Sequence, residues 1–191
     1  MDIIRVFEPA GNPVEEMGLL SMQYDDEESC EFDKLFENWQ NPIYMAEFCR
    51  LHLADIYIKF GCALDPEEAA QELMDEADDL LEMLVQFAKG RPEFGRLQHL
   101  FKPLNNHETN IVELQLSKGS AASSRRRTTR LRIYAVRIGE NTYVVTGGAI
   151  KLTNRMEERD HTYKELTKLK RVRDWLKNEG ISYPEDLNDL L

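Results

Sequence analysis

The spacing of apolar and polar positions outlines strands and helices in a definite order. Residues 3–7 and 19–24 read as short strands, and Gly11, Asn12 and Pro13 supply a turn between them. An acidic run from Asp25 to Glu28 leads to Ser29, a helix cap, and Phe32, Leu35, Phe36 and Trp39 then recur at helical spacing. Asn41 and Pro42 supply the cap and first position of a second helix, which runs to about Phe60 and stops at Gly61. Its apolar residues (Ile43, Met45, Phe48, Cys49, Leu53, Ile56, Tyr57, Phe60) cover much of its circumference, which predicts burial on more than one side. Asp65, Pro66 and Glu68 open a third helix, striped by Leu73, Ala77, Leu80, Leu81, Leu84 and Ala88 and closed by Gly90 and Pro92. Its other face is acidic. Residues 93–104 have room for another helical turn or two.

The period then shortens. Residues 111–116 alternate as a strand, 117–124 form a Gly/Ser/Ala loop, and Arg125, Arg126 and Arg127 follow. Residues 128–138 read as a strand, 139–141 as a hairpin turn and 142–146 as a further strand. Gly147 and Gly148 break it, and 149–153 are extended again. Thr162 and Glu165 form a second capping box, opening a helix striped by Leu166, Leu169, Val172, Trp175 and Leu176 and ended by Asn178, Glu179 and Gly180. Residues 181–191 are an acidic tail with one helical turn after Pro184. This order predicts a single α+β domain over residues 1–191. Residues 1–60 hold two strands and two helices, 61–100 an acidic helical insertion, 101–180 basic strands and a closing helix, and 181–191 the tail.

Composition narrows the class. The chain has 191 residues, 42% hydrophobic and 31% charged, a globular balance. No apolar run approaches the roughly 20 residues that span a bilayer. The start, Met1-Asp2-Ile3-Ile4-Arg5, lacks the features of a signal peptide, so the sequence predicts a cytoplasmic protein with no membrane partner. Cys30, Cys49 and Cys62 are odd in number and lack CxxC spacing, as small buried hydrophobes in a reducing compartment would be. The net charge of −11 conceals a segregation. Residues 1–90 carry 5 basic and 22 acidic side chains, whereas residues 118–177 carry 16 basic and 6 acidic ones. The basic segment offers a polyanion-binding face. The acidic face of the helix over 65–89 is either solvated or a cover for that basic face, within one chain or across a homodimer.

No P-loop, dinucleotide fingerprint, GxSxG or HExxH motif is present, so no cofactor is indicated. His52, His99, His107 and His161 are too scattered for a metal site, and His52, in an apolar helix, reads as a packed or partly exposed residue rather than a ligand. The candidate chemistry lies in Arg130-Leu131-Arg132-Ile133-Tyr134-Ala135-Val136-Arg137. On a strand, Arg130, Arg132 and Tyr134 share one face, and Leu131, Ile133 and Ala135 share the other. The second face would meet the helices, leaving the Arg/Arg/Tyr face outward. Lys151 and Thr153 alternate with Ile150 and Leu152 in the same way, and Arg155, Arg159 and His161 follow. Antiparallel pairing would gather these cations on one concave surface. Such a surface suits RNA, with cations for phosphates and a tyrosine ring for an unpaired base.

The order of segments resembles the RelE/HigB-like toxin superfamily, especially its phage-derived HigB-type branch. The resemblance rests on an N-terminal strand before helices, Lys102-Pro103-Leu104, Val112-Glu113-Leu114, Arg132-Ile133-Tyr134, Gly147-Gly148-Ala149-Ile150-Lys151-Leu152-Thr153 and a basic closing helix. It is best over residues 100–177. It implies a small twisted antiparallel sheet with helices packed on one side. It further implies metal-independent mRNA cleavage, often on the ribosome, by attack of the RNA 2′-hydroxyl on the adjacent phosphate, and a helix-turn-helix antitoxin as partner. Carried over by position, Arg132 and Lys151 take the catalytic role, with Arg130, Tyr134, Arg137, Arg155 and His161 binding RNA. The chain departs from the family at Gln115, Ala149 and Leu152, where the pattern has arginine, phenylalanine and lysine, and in its long acidic helix. These departures point to an alternative, a non-catalytic nucleic-acid- or ribosome-binding protein that retains the toxin-like fold.

Overall fold

The structure, a computed structural model, describes residues 1–9, 17–25, 27–60, 65–89, 95–105, 114–121, 129–153 and 155–191. The expected turn at Gly11–Pro13, the helix stop at Gly90 and Pro92, the family-like Val112-Glu113 and the Arg125–Arg127 run lie outside these residues. The fold is α+β. Strands β1 (Asp2–Phe7), β2 (Gly18–Gln23), β3 (Lys102–Pro103), β4 (Gln115–Gly119), β5 (Leu131–Gly139) and β6 (Thr142–Ile150) form one sheet in the order β1-β2-β6-β5-β4-β3. The helices are α1 (Glu31–Trp39), α2 (Pro42–Leu51), α3 (Leu53–Phe60), α4 (Pro66–Ala88), α5 (Leu97–Leu100) and α6 (Asp160–Asn178).

Two expectations about the sheet change. It is mixed, because β2 runs parallel to β6 while the other neighbours are antiparallel. The helices also pack on both faces. Leu131, Ile133 and Ala135 meet α1, α2, α4 and α5 in one core, whereas Tyr134, Val136 and Ala149 meet Leu166, Leu169, Val172 and Leu176 of α6 in a second. Both faces of β5 are therefore apolar, as central strands require. The acidic helix α4 is part of the first core and not an accessory: Leu73, Leu80 and Leu84 are fully buried. No helix among the described residues is long and apolar enough to cross a membrane.

Local signals account for most boundaries. Asn41 Oδ1 accepts the N–H groups of Ile43 and Tyr44, and Asp65 accepts that of Glu67, so both caps stand where the sequence puts them. The other two caps do not. Cys30 rather than Ser29 precedes α1, and Thr162 lies inside α6, its hydroxyl donating to the carbonyl of Arg159. Gly180 ends α6 at φ +77°, and the N–H groups of Gly180 and Ile181 close on the carbonyls of Lys177 and Leu176. The tail is less detached than expected: Ile181 and Leu187 are buried in the second core, around a 3-10 turn at Pro184–Asp189.

The expected single helix over 42–60 is two helices interrupted at His52. Its apolar residues are not buried on several sides. Met45, Cys49 and Ile56 enter the core, but Ile43, Leu51, Tyr57 and Ile58 are exposed, Leu51 at 82% and Ile58 at 77%.

The basic strands also shift. Ser117, Lys118 and Gly119, expected in a loop, belong to β4 and pair with Ala135, Tyr134 and Ile133. Gly147 and Gly148 do not break the strand over 142–150. The strand bulges just before them, at Thr146, since Tyr134 pairs with Gly147 and Ala135 with Val145, and Gly148 resumes regular pairing with Ile133. Beyond Val145 the β2 side of β6 has no partner strand among the described residues. A side chain takes its place at one point: Tyr24 Oη donates to the Thr146 carbonyl at 3.0 Å.

Candidate functional site

The strand register decides which cations meet. Arg132 lies opposite Ala149 and Lys118 opposite Tyr134, so Arg132 and Lys118 are diagonal neighbours on the α6 face. The Lys151 N–H donates to the Arg130 carbonyl at 2.8 Å and places Lys151 beside Arg132 at the end of β6. The three cations sense one another. The Lys118 ammonium is held below its usual range by burial first, then by the charges of Lys151 and Arg132. Its Nζ donates to the Leu104 carbonyl at 2.8 Å, so the Leu104 segment orients it. The Arg132 guanidinium is half-buried. Its Nη1 donates to Thr129 Oγ1 at 3.0 Å and the Leu131 carbonyl at 2.8 Å, and burial lowers its pKa from the ordinary guanidinium value. An anion docked here would meet three convergent positive charges in a partly desolvated rim, where charge–charge attraction exceeds that in open water.

The remaining candidates separate. Arg130 does not share the outward face. It is 7% exposed and turns to the α4 side, with Nε 3.2 Å from Glu76 and Nη2 3.2 Å from Glu72. Glu76 also accepts the main-chain N–H groups of Arg130 and Leu131 at 2.5 and 2.7 Å. The reason is the helix above: a fully buried carboxylate on α4 needs a cation, and Arg130 supplies it. Tyr134 is on the same sheet face as Arg132 but is 1% exposed beneath α6, so it offers no open stacking face. Its hydroxyl is buried with no hydrogen-bond partner among the described residues, and burial raises its pKa. Arg137 is five residues from Arg132, roughly 16 Å along the strand, and lies opposite Tyr143, whose ring packs in the first core. Arg155 is exposed, in the turn before Met156–Glu158. The departures from the family pattern are also structural. Gln115, Ala149 and Leu152 are all buried, Leu152 in the first core, where a lysine would have no solvent.

A cleft of about 590 Å³ opens at the start of α6, lined by His52, Glu158, Arg159, Asp160, His161, Lys164 and Glu165. Here two histidines that look scattered in sequence come together, their ring centroids 5.1 Å apart. Phe48 packs against both, at 4.4 Å from His52 and 5.6 Å from His161. His161 Nε2 is 3.0 Å from the carbonyl of Ile150, the last residue of β6. Arg159 forks onto Asp55, with Nε 2.7 Å from Oδ2, and ties α3 to this corner. No group of three or more His, Cys, Asp or Glu among the described residues is arranged to hold a metal ion.

Lys118 is the member that sequence reasoning missed. Its neighbours Ser117 and Gly119 look like loop residues, and the signal was the period of two that continues beyond the assigned strand end, with Leu116 and Lys118 on one face and Ser117 and Gly119 on the other. His52 was missed because its partner is more than a hundred residues away. No family model, curated protein or solved structure matches this chain.

Proposed function

We propose that this protein is a toxin-like mRNA endoribonuclease, acting without a metal, whose phosphate site is Lys118, Arg132 and Lys151. The observation that carries the reading is the convergence of these three cations at one rim of the sheet. Arg132 and Lys151 stabilise the charge that develops on a phosphate under attack by the neighbouring 2′-hydroxyl. Lys118, with its pKa lowered, gives up a proton near neutral pH more readily than an ordinary lysine. The order of strands and the basic closing helix, which resemble the RelE/HigB-like toxins, support the same reading, and a helix-turn-helix antitoxin is the partner it carries with it.

The burial of Tyr134 and the capture of Arg130 by Glu72 and Glu76 favour the second reading, an RNA- or ribosome-binding protein without cleavage. Inducible expression separates the two. The nuclease reading predicts growth arrest together with new mRNA ends, both relieved in an Arg132→Gln/Lys151→Gln double variant. Association with RNA or ribosomes without new ends would establish the binding reading instead, and arrest that persists in the double variant would remove these residues from the site.

A further inference from the structure

Helices α2 and α3 turn more apolar surface to water than to the core. Among the described residues, Met45 and Cys49 of α2 and Ile56 of α3 are buried. On the other side Ile43, Tyr44, Leu51, Leu53, Tyr57 and Ile58 are exposed, four of them at 60% or more. The two helices present one surface. The His52 N–H donates to the Phe48 carbonyl and the Ile56 N–H to the His52 carbonyl, so helical hydrogen bonds continue across the break. Tyr44, Leu51 and Ile58 follow at intervals of seven, which keeps them on one side. The surface is also held in place, because Asp55 and Arg159 fix α3 to the start of α6.

Area and charge decide what covers it. At these exposures the six side chains show roughly 600–700 Å² to solvent. That exceeds the largest apolar patch of a typical monomer and approaches the ~800 Å² that each partner gives to a stable interface. The charges balance: within residues 42–60, Glu47 and Asp55 offset Arg50 and Lys59. Arg50 is paired with Glu67, and Asp55 with Arg159. Polyanions and anionic lipid surfaces call for a cluster of free cations, which a neutral apolar stripe does not offer. A copy of the same stripe meets it without like-charge repulsion.

We propose that this face is a homodimer interface, in which α2 and α3 of two copies pack antiparallel about a two-fold axis at Leu51. Seven residues separate Leu51 from Tyr44 in one direction and from Ile58 in the other. The two-fold therefore sets Leu51 against Leu51, and Tyr44 of each copy against Ile58 of the other. This contact is apolar, unlike a cover of basic strands by an acidic helix, and it does not depend on the RNA reading.

The test is sedimentation equilibrium of the full chain from low to high micromolar concentration. The mass is expected to rise from 22.3 kDa towards twice that value. Association should tighten as sodium sulfate is added, because the contact is apolar and the chain carries a net charge of −11. Leu51→Glu, at a position exposed in the monomer, sets like charges on the axis and is expected to weaken association roughly 100-fold or more. Tyr183→Ser, at an exposed tyrosine of the C-terminal tail, should leave it unchanged. In a Cys62→Ser background, Leu51→Cys should yield a disulfide-linked dimer under mild oxidation and Tyr183→Cys should not. Cross-linking decides the matter where circular dichroism shows Leu51→Glu to be unfolded. A wild type that stays at 22.3 kDa throughout overturns the proposal. So does a dimer that folded Leu51→Glu leaves intact, a Leu51→Cys chain that fails to cross-link, or association that weakens with salt, which would place the contact between acidic and basic segments. Wild-type monomer that binds phosphatidylglycerol vesicles, with binding lost in Leu51→Glu, overturns it in favour of a lipid surface.

Discussion

At Gly147 the sheet, α1 and α6 meet with no room for a side chain. A Cβ there would stand 1.8 Å from Glu165 Oε2 and 3.2 Å from Glu31 Oε2. Gly147→Ala is therefore expected to destabilise the fold by roughly 1–3 kcal/mol, measured by urea unfolding. The two carboxylates are buried and share Lys168, whose Nζ is 2.9 Å from Glu31 and 3.0 Å from Glu165. Burial raises the Glu165 pKa above its usual 4.5, and Lys168 only partly offsets this. A raised carboxyl pKa means that the fold favours protonated Glu165. That contribution is complete below about 4.5 and is lost as pH rises through the folded value. Glu165→Gln removes the effect. Relative to the variant, the wild type should lose stability as pH rises through this window, read as a change in denaturation midpoint. A constant difference between the two proteins across the window would contradict this account.

The elements are joined by a few buried polar contacts, and these explain what the sequence shows and hides. Glu76 of α4 holds the first residues of β5 through two main-chain N–H groups and Arg130. Glu76→Ala removes the buried carboxylate partner of Arg130, leaving Glu72, and the shared acceptor of both main-chain N–H groups, and is expected to cost roughly 3–5 kcal/mol. Glu72→Ala, which removes a partly exposed partner, should cost far less, and equal effects in chemical denaturation would show that the buried carboxylate is not the join. Nothing local in the sequence distinguishes Glu76 from the other carboxylates of α4, because its role depends on a strand more than fifty residues away. The caps at Asn41 and Asp65, the stripe of α4 and the alternation of β5 were legible because each is set by neighbours in sequence. That neither side of β5 is left open to solvent was not legible. Alternation separates Leu131 from Arg132, but it does not reveal that α6 covers the second face. The β2–β6 parallel pair, the β4 register and the Thr146 bulge likewise depend on partners distant in the chain, so Lys118 was read as loop and Gly147 as a break. The exposed apolar residues of α2 and α3 show the same limit, since helical spacing predicts a stripe and not what lies against it.

Across the whole molecule, the segregated charge is partly reconciled inside the fold. Acidic α4 neutralises Arg130, Asp55 engages Arg159, and Glu31 and Glu165 engage Lys168. Lys118, Arg132 and Lys151 are instead brought together, and the proposed RNA site rests on that placement. The most direct test is the salt dependence of single-stranded RNA binding by the wild type and by a Lys118→Gln/Arg132→Gln/Lys151→Gln variant. Each phosphate contact adds about 0.7 to the slope of log affinity against log salt. The account predicts weaker binding by the variant and a slope shallower by roughly 2. Equal affinity and equal slope for the two proteins would contradict it.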